Sequence, residues 1–167
     1  MAESLDTVYD ALLMDHIRSA RNYGLSTAPS DAETAGRVAI SNPLCGDVLE
    51  LELDWNGDRL DAVRFGCECC GIAMGSASLM TTVLAGQQRE TLRSLAQHAL
   101  ALLRGACTPD ETGAAGVDVP VAAANWRLLH EIGQRLPARR TCASLGWQAL
   151  LAGLDGERHC NAKEIRP

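Results

Sequence analysis

Cysteine residues concentrate in one short stretch of this chain. Three of the seven cysteines fall within four residues, at Cys67, Cys69 and Cys70, between a strand-like segment and a helix-like segment. The N–H groups and the dipole at the start of a helix favour the thiolate, which is the form that binds metals and attacks sulfur. The spacing therefore indicates metal or sulfur chemistry at a junction between a strand and a helix.

Two other cysteines and an aspartate could complete a site with Cys70. Cys45 and Asp47 flank Gly46 in a turn between two strand candidates, where glycine lets the backbone fold tightly enough to aim both side chains at one ion. Cys142 lies in the first turn of a predicted helix. Three thiolates and a carboxylate suit tetrahedral Zn²⁺. They also suit an iron–sulfur cluster whose weak oxygen ligand makes the cluster easier to transfer.

The composition limits the classes of function. A chain of 167 residues fits one domain that can fold without disulfides or metals. The net charge of −6 argues against non-specific nucleic-acid binding. No apolar run approaches the ~20 residues of a membrane span, and the acidic start shows no signal-peptide pattern. We therefore expect a cytoplasmic protein, whose odd number of cysteines favours metal binding, sulfur handling or packing over a disulfide framework.

The hydrophobic pattern predicts the elements that carry these residues. Alternating residues predict antiparallel strands over 37–41, 48–55 and 58–65. Amphipathic spacing predicts helices over 5–22, 72–84, 90–104, 118–136 and 137–153. Asn56-Gly57 predicts a two-residue hairpin turn that pairs Leu53 with Leu60 and Leu51 with Ala62. The charged residues at the C-terminus are expected to be loose.

Several motifs in this order resemble the IscU/SufU-type iron–sulfur cluster assembly proteins, the amino-terminal homology region of NifU. The resemblance covers about residues 5–153. It rests on Asn42-Pro-Leu-Cys-Gly-Asp47, Ile72-Ala-Met-Gly-Ser-Ala-Ser78, Pro137-Ala-Arg-Arg-Thr-Cys142 and Leu145-Gly-Trp147. The long segment between Gly105 and Cys142 resembles SufU more than IscU. So does Thr141, which stands where IscU has a histidine.

The resemblance implies a fold and a domain organisation. The fold is α+β, with a three-stranded antiparallel sheet covered on one face by about five helices. Residues 1–167 form a single domain, with a core of about 5–153 and a flexible tail over 154–167.

The resemblance also implies a site. Cys45, Asp47, Cys70 and Cys142 are the expected ligands of Zn²⁺ or of a [2Fe–2S] or [4Fe–4S] cluster. Sulfur is accepted by Cys142 or Cys45, and Arg139 pairs with a thiolate nearby. The implied partners are a SufS-like cysteine desulfurase and downstream assembly or acceptor proteins, with neither nucleic acid nor membrane.

Cys67 and Cys69 depart from the family pattern. SufU proteins usually have glycines at these positions, and cysteine tolerates a positive φ far less well than glycine does. One interpretation is substitution with a local adjustment of the loop. The other is that Cys69 or Cys67 acts as an alternate ligand or as a persulfide acceptor.

Four functional interpretations remain open at this point. The chain either holds a nascent, transferable cluster as a scaffold or carrier, or works as a zinc-dependent sulfurtransferase. A structural zinc-binding interaction module is a third interpretation, although closed structural sites usually use only Cys and His and not a carboxylate such as Asp47. A dithiol redox protein built on the stretch 67–70 is a fourth, but Cys-x-x-Cys on a βαβ pattern is absent.

Overall fold

A computed structural model describes residues 5–27, 35–109 and 120–167 of the chain. The elements within these ranges are α1 (Leu5–Arg18), β1 (Ala35–Ser41), β2 (Val48–Asn56), β3 (Arg59–Glu68), α2 (Gly71–Leu84), α3 (Arg89–Arg104), α4 (Pro120–Arg135), α5 (Arg140–Leu154) and β4 (His159–Asn161). A short 3₁₀ turn, Pro137–Arg139, leads into α5. The predicted α+β class and the five helices are confirmed. No helix in the described ranges is both long enough and apolar enough to cross a membrane.

The described strands form one sheet in the order β3-β2-β1-β4. β1 pairs with β2 and β2 with β3 in antiparallel fashion, as the alternating pattern predicts. β4 adds a strand that runs parallel to β1 and pairs His159 with Ala39. The prediction of three strands was thus one strand short, because a strand of three residues is too short to show a recognisable alternation.

The C-terminal segment 154–167 differs from the flexible tail that its charges suggest. The backbone N–H of Ala39 donates to the carbonyl of Arg158, and that of Ala162 donates to Ser41, each at 2.8 Å. Ile165 is only 9% exposed. The expectation was wrong because it rested on the charged residues and not on the apolar residues of the segment, of which Ile165 is buried and Leu154, Cys160 and Ala162 also pack against the core.

A β-bulge changes the register of the hairpin formed by β2 and β3. Asn56 pairs with Arg59, so the two turn residues are Gly57 and Asp58 and not Asn56 and Gly57. The bulge then adds one further residue to β3, and neither predicted pair of the hairpin forms. In their place the structure pairs Leu53 with Val63, and Leu51 with Phe65. The predicted register was wrong for two reasons: the Asn-Gly signal placed the turn one residue too early, and a hairpin sequence does not reveal an extra residue in one strand.

The bulge also decides which side chains of β3 face the helices. Phe65 is fully buried, and Cys67, two residues further along the strand, lies on the same face of the sheet. The Sγ atom of Cys67 is 4.0 Å from the Sδ atom of Met74 in α2. The bulge therefore directs the first cysteine of the stretch towards the helical layer.

The helices cover one face of the sheet and enclose an aliphatic core. The sheet contributes buried side chains from three strands: Val38, Ile40, Leu49, Leu51, Leu53, Val63 and Phe65. Trp147 of α5 is fully buried with them. α5 approaches α2 so closely that a Cβ on Gly146 would lie 3.0 Å from the Met80 side chain. Small residues therefore permit the close packing of the helices that carry the site.

One end of the sheet collects the ends of three strands. Ser41 at the end of β1 pairs with Val48 at the start of β2, and Val48 pairs with Glu68 at the end of β3. The loop 42–47 and the cysteine stretch therefore leave the sheet side by side.

Candidate functional site

The loop 42–47 holds Cys45 and Asp47 in a tight, internally bonded turn. Gly46 has a φ of +78°, which a side chain would strain, and its N–H donates to the carbonyl of Asn42 at 2.8 Å. The Asn42 side chain is buried and accepts a bond from the N–H of Leu44 at 3.1 Å. This turn presents the exposed thiol of Cys45 beside Leu44, whose side chain is 80% exposed.

Cys70 occupies the residue before the first turn of α2. Its backbone is extended, with φ −70° and ψ 164°, and its side chain makes no capping bond to the helix. Its N–H donates to the Oδ2 atom of Asp47 at 3.4 Å. A carboxylate thus lies at the positive end of α2, where the helix dipole favours negative charge.

Cys142 lies in the first turn of α5, with its side chain 4% exposed. Burial first, and then the neighbouring Cys70, raise the pKa of the Cys142 thiol to about 12, while a hydrogen bond with Arg139 acts in the opposite direction. The same hydrogen bond raises the pKa of the Arg139 guanidinium. The predicted pairing of Arg139 with a thiolate thus has a geometric basis, because its cation faces Cys142.

Cys45, Asp47 and Cys142 form a group that could hold a metal. One ligand atom of each residue lies within 4.8 Å of the other two, and this is the one such group among the residues that the structure describes. Cys70 is not a member of the group, although it contacts Cys142 and lies beside Asp47. Two thiols and a carboxylate from the loop 42–47 and from α5, with the thiol of Cys70 next to them, fit a tetrahedral Zn²⁺ site or part of the ligand set of an iron–sulfur cluster.

Cys67 and Cys69 are joined to each other by a disulfide. The prediction of free thiols here was wrong, because it rested on the odd cysteine count and the absence of a secretory signal, neither of which excludes a local disulfide. While this disulfide is closed, neither Cys67 nor Cys69 has a free thiol, so neither can serve as an alternate metal ligand. The signal that could have indicated the pair is its Cys-x-Cys spacing at the end of a strand.

Thr141 is a residue whose role the sequence did not indicate. Its Oγ1 atom accepts a hydrogen bond from the N–H of Ile165 at 3.2 Å. Ile165 is buried, so the bond ties the C-terminal segment to the residue directly before Cys142. The side chain at this position thus supports the site from outside, whereas a histidine here could have offered a ligand.

Comparisons with known proteins find relatives along most of the chain. The NifU-like N-terminal domain family matches residues 8–110. The zinc-dependent sulfurtransferase SufU of Bacillus subtilis is 30% identical over 158 residues, which cover 95% of this chain and 97% of that protein. The iron–sulfur cluster assembly scaffold protein IscU of Streptococcus pyogenes is 26% identical, with 96% and 90% covered.

Solved structures share the fold. The crystal structure of an iron–sulfur cluster assembly scaffold of the SUF system from Fervidobacterium islandicum aligns with a TM-score of 0.68 at 20% identity, over 90% of this chain and 99% of that one. A NifU-like N-terminal protein from Brucella abortus aligns with a TM-score of 0.68 at 16% identity, over 91% of this chain and 94% of that one. At these identities the likeness is one of fold.

Proposed function

We propose, from the premise that this chain belongs to the NifU-like N-terminal domain family, that it is an iron–sulfur cluster assembly protein that accepts persulfide sulfur at a metal site. The observation that carries the proposal is the convergence of Cys45 and Asp47, from the loop 42–47, with Cys142 of α5. Cys70 would complete the ligand set. Zn²⁺ bound there would keep its thiolate ligands deprotonated, which the buried environment of Cys142 does not do on its own.

Cys45 is the better acceptor of the two cysteines considered. Its thiol is exposed, whereas Cys142 is 4% exposed. Its thiolate would attack the outer sulfur of a persulfide on a cysteine desulfurase, forming a Cys45 persulfide and releasing the desulfurase thiolate. Arg139 would stay with Cys142 and hold the anionic site in place as sulfur arrives.

The partner is a SufS-like cysteine desulfurase, and downstream assembly proteins would receive the sulfur. Leu44 is the most exposed of the large apolar side chains that the structure describes, and it lies next to Cys45. An apolar side chain beside the acceptor suits a partner that must bring its own cysteine to this loop. A cytoplasmic location fits this role.

A second candidate function is to hold the cluster itself. The observation that favours it is Cys70, whose thiol contacts Cys142 and would give an iron cluster a third sulfur ligand. In that case iron and sulfide are the cargo of the site, and Asp47 supplies the weak ligand that makes release easier.

An experiment with the intact protein separates these functions. The protein is purified without oxygen, its metal content and visible spectrum are measured, and the desulfurase and cysteine are added, first without and then with iron. Sulfur bound to a colourless zinc protein supports the acceptor. A coloured protein that passes its cluster to an apo-ferredoxin supports the scaffold.

Matched variants locate the acceptor. Cys45→Ser should lower sulfur uptake about tenfold or more, because its exposed thiolate is the nucleophile. Cys107→Ser, at a partly buried cysteine outside the metal group, should take up sulfur like the unaltered protein. Equal uptake by Cys45→Ser would contradict the assignment of Cys45. Zinc that binds without any sulfur or cluster would leave the structural zinc module as the better description.

A further inference from the structure

The disulfide between Cys67 and Cys69 lies in the stretch of backbone that leads into the proposed sulfur site. Val48 pairs with Glu68, so Asp47 and Cys69 are the next residues of their strands beyond the last pair. Cys70 follows directly, with its N–H bonded to the Asp47 carboxylate and its thiol against Cys142. Cys67 and Cys69 therefore belong to the stretch of backbone that carries Cys70 and runs beside Asp47.

This disulfide is poorly suited to a purely structural role. It closes a loop that contains a single residue, Glu68, and a crosslink restricts the unfolded chain less as its loop becomes shorter. Cys67 is already held by β3 and by its contact with Met74. Where disulfides occur in cytosolic proteins, they are usually transient and serve catalysis or redox sensing.

Both cysteines are open enough to react. Cys67 and Cys69 are half-buried at the border of the core, and Glu68 between them is exposed. Thiol–disulfide exchange needs access to the attacked sulfur and a leaving thiol, and both are present here. The pair can thus alternate between dithiol and disulfide without unfolding of the core.

We propose that Cys67 and Cys69 form a built-in dithiol that reduces the persulfide of the site and releases its sulfur as sulfide. The inference rests on the proposed function, which supplies the persulfide. The Cys69 thiolate attacks the outer sulfur of the site persulfide, and the site thiolate leaves. The Cys67 thiolate then attacks Sγ of Cys69, forming the disulfide and expelling HS⁻.

The step balances in atoms and electrons. The two thiolates lose two electrons as they form the disulfide, and the sulfane sulfur gains both as it becomes sulfide. The persulfide proton leaves with the sulfide. A dithiol reductant from solution, dithiothreitol in the test below, returns Cys67 and Cys69 to thiols for the next turn. Sulfide is the form of sulfur that a growing iron cluster contains.

The test follows sulfide and protein mass in a single turnover. The full chain is reduced with dithiothreitol, freed of it without oxygen, and mixed with persulfide-loaded desulfurase in the absence of small thiols. The unaltered protein and Cys107→Ser should release about one sulfide per chain and form the Cys67–Cys69 disulfide. Cys67→Ser and Cys69→Ser should keep the transferred sulfur as persulfide and release about tenfold less sulfide.

Two results would overturn the inference. One is an unaltered protein that retains its persulfide without releasing sulfide, and the other is equal release by both serine variants. If the unaltered protein takes up no sulfur at all, the proposed function fails instead. Glutathione persulfide then serves as the donor, and release no faster than from the serine variants would overturn the dithiol role independently.

Discussion

At the scale of single residues, Arg139 is the cation that faces the site. It ends the 3₁₀ turn before α5 and makes its hydrogen bond to the thiol of Cys142 three residues later. The Arg139 side chain is exposed, so it contributes little to the free energy of unfolding. Its contribution is the positive charge that it places beside the thiols and Asp47.

Replacement of Arg139 by glutamine should slow sulfur uptake about tenfold while the free energy of unfolding changes by less than about 0.5 kcal/mol. The reason is that the cation acts on the anionic site, and an exposed side chain contributes little to folding. The measurements are sulfur transfer from the desulfurase and urea unfolding. Arg59→Gln is the control, because Arg59 lies at the hairpin, at the other end of β2 and β3 from the site. Identical uptake by the two variants would show that the Cys142–Arg139 contact has no role in transfer.

Glu52 is a buried carboxylate on the sheet face opposite the core. It is 2% exposed and accepts hydrogen bonds from Arg37 at 2.7 Å, from Arg64 at 3.0 Å and from Ser26. Burial raises the pKa of Glu52, but these hydrogen bonds outweigh it, so the net pKa is lowered. The side chain thereby fastens the chain around Ser26 to the sheet.

Glu52→Gln should lower the free energy of unfolding by about 1–2 kcal/mol at neutral pH. Because the folded pKa of Glu52 is depressed, its contribution is fully present above its unfolded pKa and is lost as the pH falls through the folded pKa. The difference between the two proteins should therefore shrink below about pH 4. Urea unfolding across this range measures it, with Asp61→Asn, an exposed ion-pair partner of Arg59, as the control. A difference that grows on acidification would contradict the assignment.

At the scale of elements, the sequence predicted the helices and the three antiparallel strands because each has a clear period. The features that the sequence did not predict are those without a repeating hydrophobic pattern. The bulge adds one residue to β3, and β4 is too short for alternation to show. The parallel pairing of β4 with β1 depends on contacts between residues far apart in the chain, which local patterns do not encode.

The candidate site likewise has residues that the sequence predicted and a feature that it did not. Cys45, Asp47 and Cys142 were predicted from turn and helix-start positions, and the fold brings them together. Cys70 lies beside them, but outside the tight group. The disulfide of Cys67 and Cys69 was not predicted, because the odd number of cysteines and the absence of a secretory signal argued against disulfides.

The contact between α3 and α4 requires a glycine. A Cβ on Gly133 of α4 would lie 2.4 Å from the carbonyl oxygen of Leu103 in α3, and backbone atoms cannot yield as a side chain can. Gly133→Ala should therefore destabilise the protein by about 3 kcal/mol, measured by thermal and urea unfolding. Gly71→Ala at the start of α2 is the control, because its new Cβ would make an ordinary 3.4 Å contact with Ile17. Equal stability of the two variants would contradict the close approach of the Gly133 backbone to the carbonyl oxygen of Leu103.

At the scale of the whole molecule, the C-terminal segment makes hydrogen bonds to the chain on both sides of the site. The N–H of Ala162 bonds to Ser41, the residue before the loop 42–47. The N–H of Ile165 bonds to Thr141, the residue before Cys142. The segment thus connects the two parts of the chain that supply the metal group.

Removal of residues 157–167 should lower the Tm by about 5–10 °C, because β4 and the burial of Ile165 are lost. It should also weaken zinc binding, since Ser41 and Thr141 lose their partners. Calorimetry and competition with a zinc chelator measure the two effects. Arg166→Gln, at an exposed residue of the same segment, is the control. A truncated chain with unaltered zinc affinity would show that the hydrogen bonds of the C-terminal segment do not stabilise the metal site.

Metal removal should leave the fold intact. The core lies between the sheet and the helices, and the metal group lies at one end of the sheet with Cys45 exposed. The chelator-treated protein should therefore unfold cooperatively with unaltered helical circular dichroism at room temperature, whereas a structural zinc module would unfold. Loss of the helical signal on chelation would favour the structural module. Zinc added back after chelation serves as the control for damage by the chelator.

The bulge in β3 gives the strand one residue more than regular pairing needs. Leu60 pairs with Trp55 and Ala62 pairs with Asp54, so Asp61 between them is the extra residue. Loss of the codon for Asp61 would therefore remove the bulge and leave every later pair of the hairpin unchanged, with Phe65 buried and Cys67 beside α2. Inherited or selected variants that lack Asp61 should thus keep the chemistry of the site, although a residue is missing from a strand that carries it.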